Sequence, residues 1–101
     1  MDRRIDLHNI LMGILGSKNV YFQPPPSVHL KYPCIIYERT RNSTRFADNI
    51  PYSVIRQYTI TVIDSNPDSE IPDRIAGLSM CTMDRTYTAD NLNHYVFNIY
   101  H

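Results

Sequence analysis

Between residues 52 and 64 the chain alternates: Tyr52, Val54, Arg56, Tyr58, Ile60 and Val62 fall on one side, and Ser53, Ile55, Gln57, Thr59, Thr61 and Ile63 on the other. Successive side chains of a strand point to opposite faces. The pattern therefore predicts one long strand, apolar on one face apart from Arg56 and mostly polar on the other, where solvent or a partner would sit. It runs directly into SNPDSEIPDRI, where Asn66, Pro67, Asp68 and Ser69 supply turn chemistry. A helix is expected from there over residues 70–81, with Ile71, Ile75, Leu78 and Cys81 facing inward. Pro72 is compatible with that helix only because it falls in the first turn.

Ahead of the long strand, Leu7, Ile10, Leu11, Ile14 and Leu15 follow the spacing of one buried helical stripe, which predicts a helix over residues 2–15. Asp2 is placed to cap its start and Gly16 its end, and Gly13 weakens the last turn. A short strand over residues 19–23 follows. Pro24, Pro25 and Pro26 then remove three successive backbone donors and require a stiff, extended connector. Residues 33–40, PCIIYERT, are apolar on both faces at their start and read as a central strand. Residues 41–51, RNSTRFADNIP, combine turn formers with two arginines and a phenylalanine and read as a hairpin loop of more than usual length. Two closing strands, residues 83–88 and 94–100, are joined by the turn ADNLN, with Tyr95, Phe97 and Ile99 on one face.

The element order is thus α-β-β-β-α-β-β. Hairpin neighbours with segregated helices define an α+β fold, with two helices packed on one face of an antiparallel sheet of about four to five strands. A chain of 101 residues forms one domain, residues 1–101, and buries roughly 65% of the surface its unfolded form exposes. That allows a modest core and argues against a deep cofactor cleft.

Charge and composition narrow the function. Ten basic and ten acidic side chains cancel, which removes the long-range pull on phosphates that a dedicated nucleic-acid binder uses. The apolar stretch in residues 5–16 is broken by Asp6, His8 and Asn9 and is far short of the ~20 residues that cross a bilayer. It also lacks the continuous core and cleavage site of a signal peptide, so synthesis in the cytoplasm is expected and no membrane partner. Cys34 and Cys81 stand in apolar contexts as reduced core residues. With His94 and His101 they come from four unrelated places, with no paired spacing, so no zinc site is expected. Asp64, Asp68, Glu70 and Asp73 lack the order and the glycine of a calcium loop, and capping with first-turn preference accounts for the last three. Only Gly13, Gly16 and Gly77 occur, so there is no phosphate-cradling loop. No catalytic residue and no cofactor is expected, and the chain does not read as an enzyme.

What remains is surface. Arg39, Arg41 and Arg45 surround Phe46, which fits a solvated loop, a protein contact or a weak single-strand binder. Asn49 within the loop and Tyr52 at its exit belong to the same candidate interface. Gln57, Thr59 and Thr61, on the polar face of the long strand, are placed to meet solvent or another subunit.

The segments YPCIIYER, YTITVIDSNPDSEIPDRI and DRTYTADNLNHYVFNIY, in this order around a long loop, resemble the small tail terminator, or tail completion, proteins of long-tailed bacteriophages. The likeness covers the element order of the whole chain and is most specific over residues 58–75 and 84–100. It implies a virion protein of the tail and neck that forms a ring, hexameric in that family. Such a ring caps the tail tube, stops its growth and joins it to head-completion or connector proteins, with genome DNA passing through and no specific nucleic-acid binding. It also implies that the loop over residues 41–51 is the leading contact between subunits or rings, and the triple-proline connector the next. A head-closure or adaptor protein of the same neck is the alternative, and a small nucleic-acid-binding or regulatory module the further one.

Overall fold

The computed structural model describes residues 3–47 and 50–101, and among these the side chains of residues 4–40 and 57–101. The elements run α1 (Arg3–Leu15), β1 (Val20–Phe22), β2 (Cys34–Ala47), β3 (Ile50–Asp64), α2 (Ile71–Ala76), β4 (Cys81–Ala89) and β5 (Leu92–Tyr100). The fold is α+β with the expected order. The five strands form one sheet in the order β1-β2-β3-β5-β4.

The alternation in residues 57–64 sets the two faces. Tyr58, Ile60 and Val62 are fully buried beneath the helices, together with Ile35 and Tyr37 of β2, Phe97 and Ile99 of β5, Leu7 and Leu11 of α1, and Ile75 of α2. Thr59, Thr61 and Ile63 pair with Asn98, Val96 and His94 of β5 and share with them the face that carries no helix. The expectation of an antiparallel sheet needs one correction. β1 pairs with β2 in parallel, Val20 opposite Ile35 and Phe22 opposite Tyr37, so the sheet is mixed. The proline connector returns the chain to the same end of the sheet, as a parallel pair requires. Its Lys31 N–H lies 3.5 Å from the Tyr21 hydroxyl. Tyr21 alternates with the buried Val20 and packed Phe22, so the connector passes on the side away from the helices.

α1 ends as its glycine requires: Gly16 adopts φ +76° and its N–H donates to the Met12 carbonyl at 2.8 Å. The helix continues unbroken through Gly13 to Leu15. Ile10 departs from the expected stripe and is 39% exposed. It stands about 100° around the helix from Leu11, beyond the strip that the narrow sheet can cover. The Asp2 cap lies outside the described residues.

Two boundaries differ from expectation. The helix predicted over residues 70–81 is one of six residues, ended at Gly77, whose N–H returns to the Asp73 carbonyl. Met80 then takes φ +61° and Cys81 opens β4 opposite Ile99. Local helix preference yields there to the gain from a further ladder with β5. The start of α2 is also capped differently. Asp64 Oδ1 accepts from the Asn66 N–H, Asn66 Oδ1 from the Asp68 N–H, and Ser69 Oγ from the Ile71 N–H, a run of side-chain turns in place of side-chain caps by Asp68 or Glu70, while Asp73 stands in the first turn as expected. Glu70 instead pairs with Arg74 at 3.3 Å.

The larger correction concerns residues 41–51, which are not a long loop. β2 runs on to Ala47 and β3 begins at Ile50, with Ser43 opposite Ile55 and Phe46 opposite Pro51. Turn-forming composition there is overridden by pairing with the β-branched run that follows, a contact across sequence that local composition does not carry. At the other hairpin the turn is tighter than ADNLN. Asp90 and Asn91 take φ +53° and +62°, the two left-handed positions of a two-residue hairpin turn that matches strand twist.

Replacing Phe97 by Ala should cost about 3–5 kcal/mol in urea unfolding, because Phe97 is fully enclosed. Ile10→Ala should stay within about 0.5 kcal/mol of wild type, since its side chain is largely outside the stripe.

Candidate assembly surface

Three features of the surface follow from the strand order. The first is an arm. β2 and β3 have 14 and 15 residues, but β1 reaches only residues 35–37 of β2, and β5 only residues 57–64 of β3. Beyond these the two strands pair only with each other, out to Ala47 and Ile50. The molecule measures 51 × 25 × 23 Å with a radius of gyration of 14.8 Å, against about 13 Å for a compact domain of this length. An isolated two-stranded ribbon is marginal in water, so this arm is an element that gains from a further strand or surface.

The second feature is the β4 edge. β4 is paired to β5 on one side only. Every residue from Thr82 to Ala89 is exposed, and the strand contains neither proline nor lysine. Its one interruption is a register shift between Met83 and Arg85 at Asp84, whose carboxylate pairs with the Arg85 guanidinium at 2.9 Å. The opposite edge is protected: β1 has three residues, then Gln23 at φ +45° and the three prolines. Met80, Met83 and Tyr87, at 64%, 50% and 45% exposure, concentrate apolar surface along β4.

The third feature is the helix-free face, with Gln57, Thr59 and Thr61 half-buried in one row of β3. The Thr59 hydroxyl donates to Asn98 Oδ1 at 3.2 Å, a cross-strand tie between β3 and β5.

The structure separates the candidate interface residues. Arg39 lies on the helix side, its guanidinium 5.7 Å from the centre of the Tyr58 ring and its backbone N–H donating to Gln23 Oε1. A register shift at Thr40, whose hydroxyl donates to the Gln57 carbonyl, divides it from Arg41. Arg41, Arg45 and Phe46 occupy arm positions opposite Gln57, Ser53 and Pro51, and Tyr52 falls at the second shift. Asn49 lies outside the described residues. Arg39, Arg41, Arg45 and Phe46 are therefore strand positions of an arm and its base, not a loop patch. β4 was not among the expected interface residues. Nothing local marks it as an edge, because that status comes from β5 inserting between it and β3.

The remaining chemistry is limited. Among the described residues no group of three His, Cys, Asp or Glu converges as a metal site would require. A groove of about 310 Å³ is lined by Thr86, Tyr87, Thr88, Asn93, His94 and Tyr95. The Tyr87 and His94 rings stack at 4.6 Å, and His94 Nδ1 lies 3.1 Å from the Leu92 carbonyl. No carboxylate or thiol lines the groove to form an acid–base or nucleophile pair with His94. Cys34 is fully buried and Cys81 half-buried, both free thiols. Burial pushes Cys34 up to about 11 and raises Cys81, so neither is a ready thiolate.

One polar cluster lies under the core. His8 Nδ1 is 2.7 Å from the Tyr37 hydroxyl, which also receives the Arg4 guanidinium at 3.5 Å. Arg4 can only donate, so the Tyr37 hydroxyl oxygen accepts from it. Burial, and then the Arg4 charge, hold His8 below its usual 6.5.

Compared with known proteins, the chain has no matching family model, and no curated protein or solved structure matches it significantly.

Because its folded value is depressed, the neutral His8 contribution is complete above pH 6.5 and is lost as pH falls through the lower folded value. A His8→Gln variant should therefore lose less stability than wild type on acidification from about pH 7 to 5, read from urea midpoints. Alkylation at about pH 8 should modify Cys81 first and reach Cys34 only at the rate of unfolding, followed by mass spectrometry.

Proposed function

We propose that this protein is an assembly subunit of a bacteriophage virion, a tail terminator. In this reading it forms a ring, of six copies by the family resemblance, that caps the tail tube and joins it to head-completion proteins of the neck. The observation that carries the reading is the arm: strands of 14 and 15 residues run past their own sheet and pair only with each other there. A monomer gains little from such a ribbon, whereas an assembled particle supplies the surface that stabilises it. The free β4 edge with its exposed Met83 and Tyr87 supports the same reading, since monomers usually blunt edges of this length. The segments that carry the resemblance correspond to the start of β2, to β3 with α2, and to the β4–β5 hairpin, the elements that border both features.

Light scattering of purified protein and electron microscopy with tail tubes test this. Rings, alone or at tube ends, are the expected outcome; a strict monomer that never caps a tube overturns it.

A further inference from the structure

The arm and the β4 edge are complementary in more than their lack of neighbours. Starting from β2, the ladders run antiparallel through β3, β5 and β4. β4 therefore runs opposite to β2. If a second copy is set beside the first with its sheet facing the same way, the outer edge of its β2 meets β4 antiparallel. β1 does not obstruct this, because it covers only residues 35–37 and leaves the arm part of β2 open. The uninterrupted stretches also match. Residues 41–45 lie between the two register shifts of β2, and residues 85–89 lie beyond the shift of β4. Charge is favourable at one end of this register, where Arg41 falls opposite Ala89 and next to Asp90; at the other, Arg45 falls opposite Arg85, whose charge is already met by Asp84 at 2.9 Å.

We propose that residues 41–45 of the β2 arm of one copy add as an antiparallel strand to residues 85–89 of β4 of a second copy, continuing the sheet across the subunit boundary. The pairing rests on the ring reading for its closure. It is heterologous, since each copy uses one surface to give and another to receive, and such contacts generate rings when the rotation closes. Arg45 lies level with Ser53 of β3 and Arg85, through Val96, level with Thr61, an offset of eight residues, so neighbours are staggered by about 26 Å along the strands. A closed ring with that stagger holds its strands tilted to the ring axis, as in a barrel.

Two variants test it. In one, residues 42–56 are replaced by Asn-Gly, so that the paired Arg41 and Gln57 flank a two-residue hairpin turn and the arm is removed. In the other, proline blocks the β4 edge. Neighbouring residues of a strand direct their N–H groups to opposite sides, so Thr86→Pro and Tyr87→Pro are both made, and the one that keeps the wild-type melting midpoint is the edge variant. By analytical ultracentrifugation each variant alone should be monomeric where wild type assembles. An equimolar mixture should form a heterodimer and nothing larger, because it offers one intact arm and one intact edge. Assembly that survives in either variant, or a mixture that stays monomeric, overturns the pairing while the ring reading stands. A wild type that is monomeric at every concentration also overturns the pairing, and the ring reading then rests on tube capping alone.

Discussion

The enclosure of Tyr37 is the contact on which the rest of this fold depends. Its side chain is fully buried, with ring contacts to His8 of α1, Phe22 of β1 and Tyr58 of β3 at 5.6, 5.0 and 6.2 Å. One residue of β2 thus touches the three elements that precede or follow it in space. A buried phenolic hydroxyl is costly without a partner, and here it is met by His8 and Arg4 from the first turns of α1. Arg4 also lies 4.7 Å from the centre of the Phe22 ring, so the same side chain fixes the helix against the edge strand. The position of α1 on the sheet is set by polar groups with direction as well as by the non-directional burial of Leu7 and Leu11.

That placement leaves the other side of the sheet without a helix, and the far half of β2 and β3 without a sheet. The molecule has one well-covered face at one end and open strand edges elsewhere. A single chain of this size has only enough apolar material for the first. Completing the second requires contacts from outside, which is why the surface gives a stronger indication of role than any cavity does.

Much of this was legible from residues 57–64, whose alternation names the buried Tyr58, Ile60 and Val62 correctly, and from Gly16, whose left-handed turn ends α1. Those signals are local: a period of two, or a single residue with unusual backbone freedom. Local composition does not reveal the arm, because Asn42, Ser43 and Asp48 favour turns one residue at a time, whereas the ladder opposite Ser53, Val54 and Ile55 forms between strands. Cys81 reads locally as helical because its strand partner, Ile99, lies eighteen residues away. The Tyr37 cluster joins residues 29 and 33 positions apart and has no sequence period at all. The interface candidates suffered in the same way, since the strand order that makes β4 an edge is a property of the complete sheet.

The place of β5 has a kinetic side. It follows β4 in the chain yet lies between β3 and β4 in the sheet, so until residues 92–100 arrive β4 has no ladder and β3 only the one with β2. Phe97 and Ile99, which close the core, arrive with them. A chain halted before this segment holds the β2–β3 hairpin and two helices with little to pack on. Pairing at such sequence separation slows folding and prolongs exposure of apolar strands. The strand that completes the domain thereby sets when its open edges first become competent, and so acts as a clock on when one subunit can be recognised by another.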